Sequence, residues 1–138
     1  MITYLDTSAV AKLLADEPES QALRAHLDDR VAAGHADLVS ACLLETELRR
    51  LATRTGIPQT AVTDVLSRLA LMDMDRSVFR EAGLLTGTSL RSLDALHIAA
   101  ALQASANEFI TYDARQQAAA EAVGLRVYTP RTELAEPQ

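Results

Sequence analysis

Short apolar runs alternate with longer helix-forming segments along this chain, and that alternation is the feature that most constrains its fold. The clearest apolar runs lie at 2–5, 37–41, 108–112 and 125–129. Strands that alternate with helices at this spacing predict βαβ units, whose strands pair in parallel. The sequence therefore predicts an α/β fold with a central parallel β-sheet and helices on both faces. Its 138 residues suit one domain, placed at 1–131, and a loose tail at 132–138.

Proline, glycine and capping residues set the predicted helix boundaries. Thr7 or Ser8 is expected to cap the first helix, and Asn107 to end the Ala- and Leu-rich helix that begins at Ser92. Pro58 is expected to open a helix over 58–71, and a weak strand is predicted at 71–75. The other helices are predicted at 9–14, 19–33, 42–55, 77–86 and 114–123.

Aspartates follow two of the predicted strands directly. Asp6 comes after the run at 2–5, and Asp113 comes after the run at 108–112. In open parallel sheets, sites form outside the carboxyl ends of the strands, at the point where the strand order reverses. If these two strands are neighbours, both carboxylates point into one crevice.

A third acid, Glu47, borders the apolar stripe of a predicted helix. The stripe has i, i+4, i+7 spacing and consists of Leu44, Leu48 and Leu51. Glu45 points further out, where it can pair with Arg49 four residues later. Helix geometry therefore favours Glu47 over Glu45 as the acid that lies beside the core.

The fourth acid, Asp94, lies in the first turn of a helix that is apolar almost all the way round, which predicts burial. Taken singly, each acid has an ordinary structural explanation as a helix cap, a first-turn acid, a turn residue or an edge residue. Together in one crevice, four carboxylates would be costly because of desolvation and mutual repulsion. A hard divalent cation with oxygen ligands, Mg²⁺ or Mn²⁺, removes that cost and can activate water against a phosphodiester.

Four stretches carry a resemblance that spans nearly the whole chain: YLDTSAVAKLL, VSACLLETELRR, RSLDALHIAAAL and FITYDARQQAAAEAVGLRV. In this order and spacing they resemble PIN-domain ribonucleases, specifically VapC-type toxins of bacterial toxin–antitoxin pairs. The resemblance implies a three-layer α/β/α fold, an RNA substrate, a VapB-type antitoxin as partner and a homodimer. It also implies that Mg²⁺ or Mn²⁺ is bound by four catalytic acids, which map to Asp6, Glu47, Asp94 and Asp113.

Other polar residues enter around these acids. Glu45 is the rival for the second acid, although the TELRR context also favours Glu47. Ser8 and Thr111 match small polar residues of the family and are expected to support the acids through hydrogen bonds. His97 is either a hydrogen-bond partner of an acid or of a phosphate, or a satisfied core histidine; we favour the core histidine.

The remaining polar residues have weaker signals. Three arginines share one predicted helix and would face RNA phosphates, an acidic partner segment or solvent: Arg49, Arg50 and Arg54. His26 and His35 are expected to be solvated. Cys42 is expected to be a small buried residue.

The formal charge of −6 lacks the basic footprint that nucleic-acid binding usually leaves. Two facts weaken that objection. Twelve of the thirteen basic side chains are arginines, which bind phosphate well, and bound divalent metal would cancel part of the acidic charge. The single cysteine excludes an internal disulfide, and no apolar run is long enough to cross a membrane, so we interpret the protein as cytoplasmic.

Other protein classes that place aspartates at strand ends fit this sequence less well. An aspartyl-phosphate phosphatase would need a second aspartate where the chain has Ser8, and a receiver domain would need a lysine near its last strand, whereas the only lysine is Lys12. Two alternatives stay open: a PIN-domain nuclease without an antitoxin, and a non-catalytic binding module of the same fold. The presence of all four acids disfavours the non-catalytic module.

Overall fold

A computed structural model describes residues 1–34 and 37–131 of the chain, so His35 and the predicted tail lie outside the described residues. The strands of the described part are β1 (Ile2–Leu5), β2 (Asp37–Ala41), β3 (Ala70–Met72), β4 (Glu108–Ile110) and β5 (Val127–Tyr128). The helices are α1 (Thr7–Ala11), α2 (Ser20–Ala32), α3 (Leu43–Thr55), α4 (Gln59–Leu66), α5 (Arg76–Leu84), α6 (Ser92–Gln103) and α7 (Ala114–Ala122). No helix within these ranges has the length and apolar character needed to cross a membrane.

The strands form one parallel sheet with the order β3-β2-β1-β4-β5. The chain builds outward from β1 through β2 to β3, and then returns to add β4 on the other side of β1. The strand order therefore reverses between β1 and β4, where Leu5 pairs with Ile110. The predicted parallel sheet is confirmed, and its switch point lies between β1 and β4, the two strands that precede Asp6 and Asp113.

Buried side chains cover both faces of the sheet, so the fold has three layers. Tyr4 and Phe109 point to the face covered by α5, α6 and α7, and their rings stack with centroids 5.4 Å apart. Leu5 and Ile110 point to the opposite face, which α1 to α4 cover. Because both faces are buried, these strands are continuous apolar runs rather than alternating ones. The predicted α/β fold with helices on both faces is confirmed.

Several predicted boundaries differ from the structure by a few residues, and two of these differences have a clear physical cause. The helix predicted over 58–71 ends at Leu66, because the chain from Ala70 pairs with β2 through Val39 and so forms β3. Sheet pairing here outweighs the helical pattern of the sequence. Ser105 rather than Asn107 adopts the left-handed conformation after α6. The side chain of Asn107 instead accepts a hydrogen bond from the backbone N–H of Ile2 at 2.6 Å, which holds this loop against the start of β1.

A buried ion-pair network joins α2 to the amino ends of β1 and β4. The carboxylate of Glu108 accepts hydrogen bonds from Nε and Nη2 of Arg30, at 3.2 and 3.1 Å, and from the Thr3 hydroxyl at 3.0 Å. The His26 ring lies 2.8 Å from the same carboxylate, so the expectation that His26 is solvated was wrong. Burial alone would raise the pKa of Glu108, but the bonds from Arg30 and His26 outweigh it and hold the pKa below its usual value.

Candidate active site

Asp6 is buried at the carboxyl end of β1 and caps α1. Its Oδ1 accepts a hydrogen bond from the backbone N–H of Ala9 at 3.0 Å and from the Ser8 hydroxyl at 2.7 Å. The expectation that Thr7 or Ser8 would cap this helix was therefore wrong, because the chain passes from strand to helix without an intervening turn. Burial raises the pKa of Asp6, and the nearby hydroxyls of Thr111 and Ser8 act in the opposite direction.

Asp113 lies beyond the carboxyl end of β4 and caps α7. Its Oδ1 accepts the backbone N–H groups of Arg115 at 2.8 Å and Gln116 at 3.2 Å. Asp113 is exposed, whereas Asp6 is buried. The two aspartates thus follow neighbouring strands, as the sequence predicted, and each also has the structural role of a helix cap.

Ser8 and Thr111 connect the ends of these two strands. Their hydroxyl oxygens lie 3.2 Å apart. Ser8 donates to Asp6 and accepts the backbone N–H of Tyr112 at 2.9 Å, and Thr111 accepts the backbone N–H of Asp113 at 3.1 Å. The pair therefore fixes the chain around both aspartates, which is the kind of support that we expected from these two positions.

Glu47 reaches from α3 towards α1 and α6. Its Oε1 accepts the Thr7 hydroxyl at 2.7 Å and lies 2.9 Å from Nε2 of His97. Only 21% of the Glu47 side chain is exposed, against 48% for Glu45. Glu45 points outward and pairs with Nε of Arg49 at 2.8 Å, as the helix geometry predicted.

Asp94 lies in the first turn of α6 and is partly buried. Its pKa is raised by burial, and then by the negative charges of Asp113, Asp6 and Glu47. No described residue donates a hydrogen bond to its carboxylate. Asp94 is therefore within electrostatic reach of the other three predicted acids, each of which accepts a hydrogen bond that Asp94 lacks.

The chemistry of these donors fits a hard divalent cation. All four side chains offer carboxylate oxygens, and the hydrogen bonds that described residues make to Glu47 and Asp113 fall on one oxygen of each group. The second oxygen remains for a ligand. Within the described ranges, no three side chains of His, Cys, Asp or Glu are already arranged around a common metal position. Such a cation would complete its shell with water, as Mg²⁺ usually does.

Two residues near the acids were not foreseen from the sequence. Gln116 is fully buried on α7, and its Nε2 donates to the backbone oxygen of Asp94 at 3.0 Å, which ties the start of α7 to α6. Its Oε1 has no partner among the described residues. Tyr4 is fully buried, and its hydroxyl lies 2.7 Å from Nδ1 of His97. An alanine-rich helix and an apolar strand gave no signal of these polar contacts.

Cys42 and the arginines of α3 lie outside this network. Cys42 is exposed at the start of α3, so the expectation that it is buried was wrong. The Arg49 guanidinium is held by Glu45 and by the side chains of Gln59 and Thr63, both at 3.1 Å. The other two arginines of this helix are exposed: Arg50 and Arg54.

Comparison with known proteins identifies the family. The model of the PIN domain family matches residues 3–122. Ribonuclease VapC35 of Mycobacterium tuberculosis is 40% identical over 133 residues, which cover 92% of this chain and 96% of the relative. Ribonuclease VapC46 of the same species is 37% identical over 129 residues, with the same coverage. The chain belongs to the PIN domain family, and the predicted resemblance to VapC-type proteins is confirmed.

Solved structures share the fold at low sequence identity. The crystal structure of VapBC2 from Rickettsia felis, bound to a DNA fragment from its promoter, matches with a TM-score of 0.72 and 17% identity. The match covers 94% of this chain and 99% of that chain. VapC20 of Mycobacterium tuberculosis, described as a toxin that cleaves the Sarcin-Ricin loop, matches with a TM-score of 0.67 and 17% identity. That match covers 85% of this chain and 94% of VapC20.

Proposed function

We propose that this protein is a metal-dependent endoribonuclease and the toxin component of a type II toxin–antitoxin pair. The observation that carries the proposal is that the negative charges of Asp6, Glu47 and Asp113 act on the half-buried Asp94. Asp6 and Asp113 follow the neighbouring strands β1 and β4. The ribonuclease names of relatives at 37–40% identity support the activity. The proposed setting is the cytoplasm, where RNA is available.

The four acids have separate tasks in the proposed reaction. Asp6, Asp94 and Asp113 would hold Mg²⁺ or Mn²⁺ directly or through water, because carboxylate oxygens are the ligands that these ions prefer. The bound ion supplies a more acidic water and offsets negative charge at the phosphodiester.

Glu47 would bind the same ion or accept a hydrogen bond from the attacking water through its free oxygen. In-line attack of this water on phosphorus would break the bond between phosphorus and the 3′ oxygen. That oxygen would take up a proton and leave as a 3′-hydroxyl, and the other fragment would keep a 5′-phosphate.

The proposed partners are a VapB-type antitoxin and a second copy of this chain. Support for the antitoxin comes from the family resemblance and from the name VapBC2 of a solved structure that shares this fold. A segment of the antitoxin would occupy the crevice of acids and block access of RNA. The dimer rests on family resemblance.

Cleavage of RNA by the purified chain tests the proposal. We expect cleavage with Mn²⁺ or Mg²⁺, none in EDTA, and none by Asp94→Asn under any condition. Asp16→Asn, which removes an exposed carboxylate from the same chain, is the matched control and should cleave like wild type. Cleavage that persists in EDTA would overturn the metal dependence, and binding of RNA without cleavage would favour the non-catalytic module. Co-expression with the adjacent reading frame distinguishes a paired toxin from a nuclease without an antitoxin.

A further inference from the structure

His97 lies where three polar side chains from different elements meet. The ring is 1% exposed. Its Nδ1 is 2.7 Å from the Tyr4 hydroxyl of β1, and its Nε2 is 2.9 Å from Oε1 of Glu47 on α3. Nε2 is also 3.0 Å from the hydroxyl of Thr7 on α1. His97 is therefore buried and hydrogen-bonded, as expected of a core histidine, and it is also a hydrogen-bond partner of a candidate catalytic acid, which was the alternative.

The chemistry of the partners determines the direction of each hydrogen bond. The carboxylate of Glu47 can only accept, so Nε2 of His97 must carry a proton and donate it. In the Nε2–H tautomer Nδ1 is an acceptor, and the Tyr4 hydroxyl can donate to it. Burial raises the pKa of Tyr4, so that hydroxyl keeps its proton. The Nε2–H tautomer thus satisfies the contacts on both sides of the ring.

Thr7 fits the same arrangement. Its hydroxyl donates to Oε1 of Glu47 at 2.7 Å, and its oxygen can accept a share of the Nε2–H of His97. Oε1 of Glu47 consequently receives two hydrogen bonds from groups that are themselves fixed. A glutamate has three rotatable side-chain bonds, so holding one oxygen in this way removes most of its freedom.

We propose that His97 is a positioning residue for Glu47, with Tyr4 selecting the Nε2–H tautomer that holds Oε1 and leaves Oε2 for the metal or its water. This inference rests on the proposed function, because it assigns His97 a task in preparing that site. Groups that orient metal ligands typically account for about 10- to 100-fold in metal affinity or activity. A merely structural histidine would affect stability and leave metal affinity unchanged.

Two variants of His97 separate positioning from packing. In His97→Gln the side-chain amide can place an N–H where Nε2 stood, towards Glu47. In His97→Asn the amide reaches only the place of Nδ1, towards Tyr4. Both variants are neutral and fill less of the same space, so they are a matched pair. The full-length protein is titrated with Mn²⁺ by calorimetry, and urea unfolding of each metal-free variant records its stability.

We expect His97→Asn to weaken Mn²⁺ binding by about 10-fold or more, and His97→Gln to stay within about 3-fold of wild type. Equal affinities for the two variants, whether both near wild type or both weakened, would overturn the positioning role. If wild type itself binds no Mn²⁺, the proposed metal dependence and the positioning role of His97 are both overturned. If wild type binds Mn²⁺ and the two variants are equal, only the positioning role is overturned.

The tautomer is tested without metal and without activity. Nitrogen NMR of the ¹⁵N-histidine-labelled, metal-free protein should show His97 as the Nε2–H form. In Tyr4→Phe the contact with Glu47 still favours Nε2–H, but Nδ1 has lost its donor, so a fraction of the Nδ1–H tautomer should appear. A wild-type ring in the Nδ1–H form, or a ring whose tautomer is unaffected in Tyr4→Phe, would overturn the selection by Tyr4 independently of the proposed reaction.

Discussion

The negative charge of Asp113 acts on Asp94, where together with burial it raises the pKa of the Asp94 carboxyl. The two acids begin neighbouring helices, and Gln116 joins them. Its backbone N–H donates to Oδ1 of Asp113 at 3.2 Å, and its side chain donates to the backbone oxygen of Asp94 at 3.0 Å. The fold therefore holds two like charges close together at a cost to its own stability, which a bound cation would remove.

The first prediction is that Asp94→Asn leaves the metal-free protein equally stable or more stable at pH 7. The pKa of Asp94 is higher in the folded protein than its usual value of 3.8, so the folded state holds its proton to a higher pH. The contribution of this carboxyl to the free energy of unfolding therefore falls as the pH rises through that window. The advantage of Asp94→Asn should disappear as the pH is lowered to about 4, where the wild-type carboxyl becomes neutral.

Urea unfolding in EDTA from pH 4 to 7 measures this difference. Asp16→Asn, at an exposed position, controls for the change in net charge of an acidic chain. A large loss of stability in Asp94→Asn alone would show that the carboxylate has a structural role, and would count against the repulsion inferred for the site.

The second prediction is that Mn²⁺ or Mg²⁺ binds the folded protein and stabilises it. A ligand that binds only the folded state adds about 2.7 kcal/mol when its concentration is 100 times Kd. The thermal midpoint should therefore rise with Mn²⁺ concentration in wild type, and much less in Asp94→Asn, since that variant lacks a proposed ligand. The absence of any heat of binding in calorimetry at millimolar Mn²⁺ would rule out the proposed metal site.

The third prediction distinguishes the two glutamates of α3. Glu45→Gln removes an exposed pair with Arg49, which is worth only about 0.3–0.5 kcal/mol, and should leave cleavage near wild type. Glu47→Gln removes the carboxylate that Thr7 and His97 hold, and should lower metal-dependent cleavage about 10-fold or more. The measurement is the RNA cleavage rate against Mn²⁺ concentration for both variants. Inactivity of Glu45→Gln instead would transfer the role of second acid to Glu45.

Much of the fold followed from the sequence because parallel strands buried on both faces leave a strong local pattern. The runs that end at Asp6 and Asp113 are continuous and apolar, and their burial on both faces makes them so. The short strand β3 was placed poorly, because its residues are only partly buried and its identity depends on pairing with β2. Local propensity cannot report a partner that lies 31 residues away in the chain, as Val39 does from Ala70.

The positions of the acids and the support from Ser8 and Thr111 were predictable, whereas the contacts of Tyr4 and Gln116 were not. A carboxylate at a strand end or on an apolar helix is locally out of place, which the sequence shows directly. The contact from Tyr4 to His97 joins residues 93 positions apart, and neither residue is unusual in its own segment. Such contacts are set by the packing of α6 on β1, so only the folded structure reveals them.

Glu108 lies at the amino end of β4, away from the candidate acids at the carboxyl ends of the strands. It is 3% exposed and takes hydrogen bonds from Arg30, His26 and Thr3. Because Arg30 and His26 hold its pKa below the usual value of 4.5, the ionised carboxylate stabilises the fold above that pH. This contribution is lost as the pH falls through the lowered pKa of the folded state.

We therefore predict that Glu108→Gln lowers the free energy of unfolding by about 2 kcal/mol at pH 7, since it weakens hydrogen bonds to a buried charged group. The difference from wild type should shrink as the pH falls below 4.5 and through the lowered pKa of the folded state, because the wild-type carboxyl then also becomes neutral. Urea unfolding across this pH range measures it, with Glu45→Gln as the exposed control. The Mn²⁺ affinity of the folded variant should match wild type, because the Glu108 network lies at the amino ends of the strands and the acids lie at the carboxyl ends. A variant that kept its stability but lost Mn²⁺ binding would contradict this separation of the stabilising network from the site.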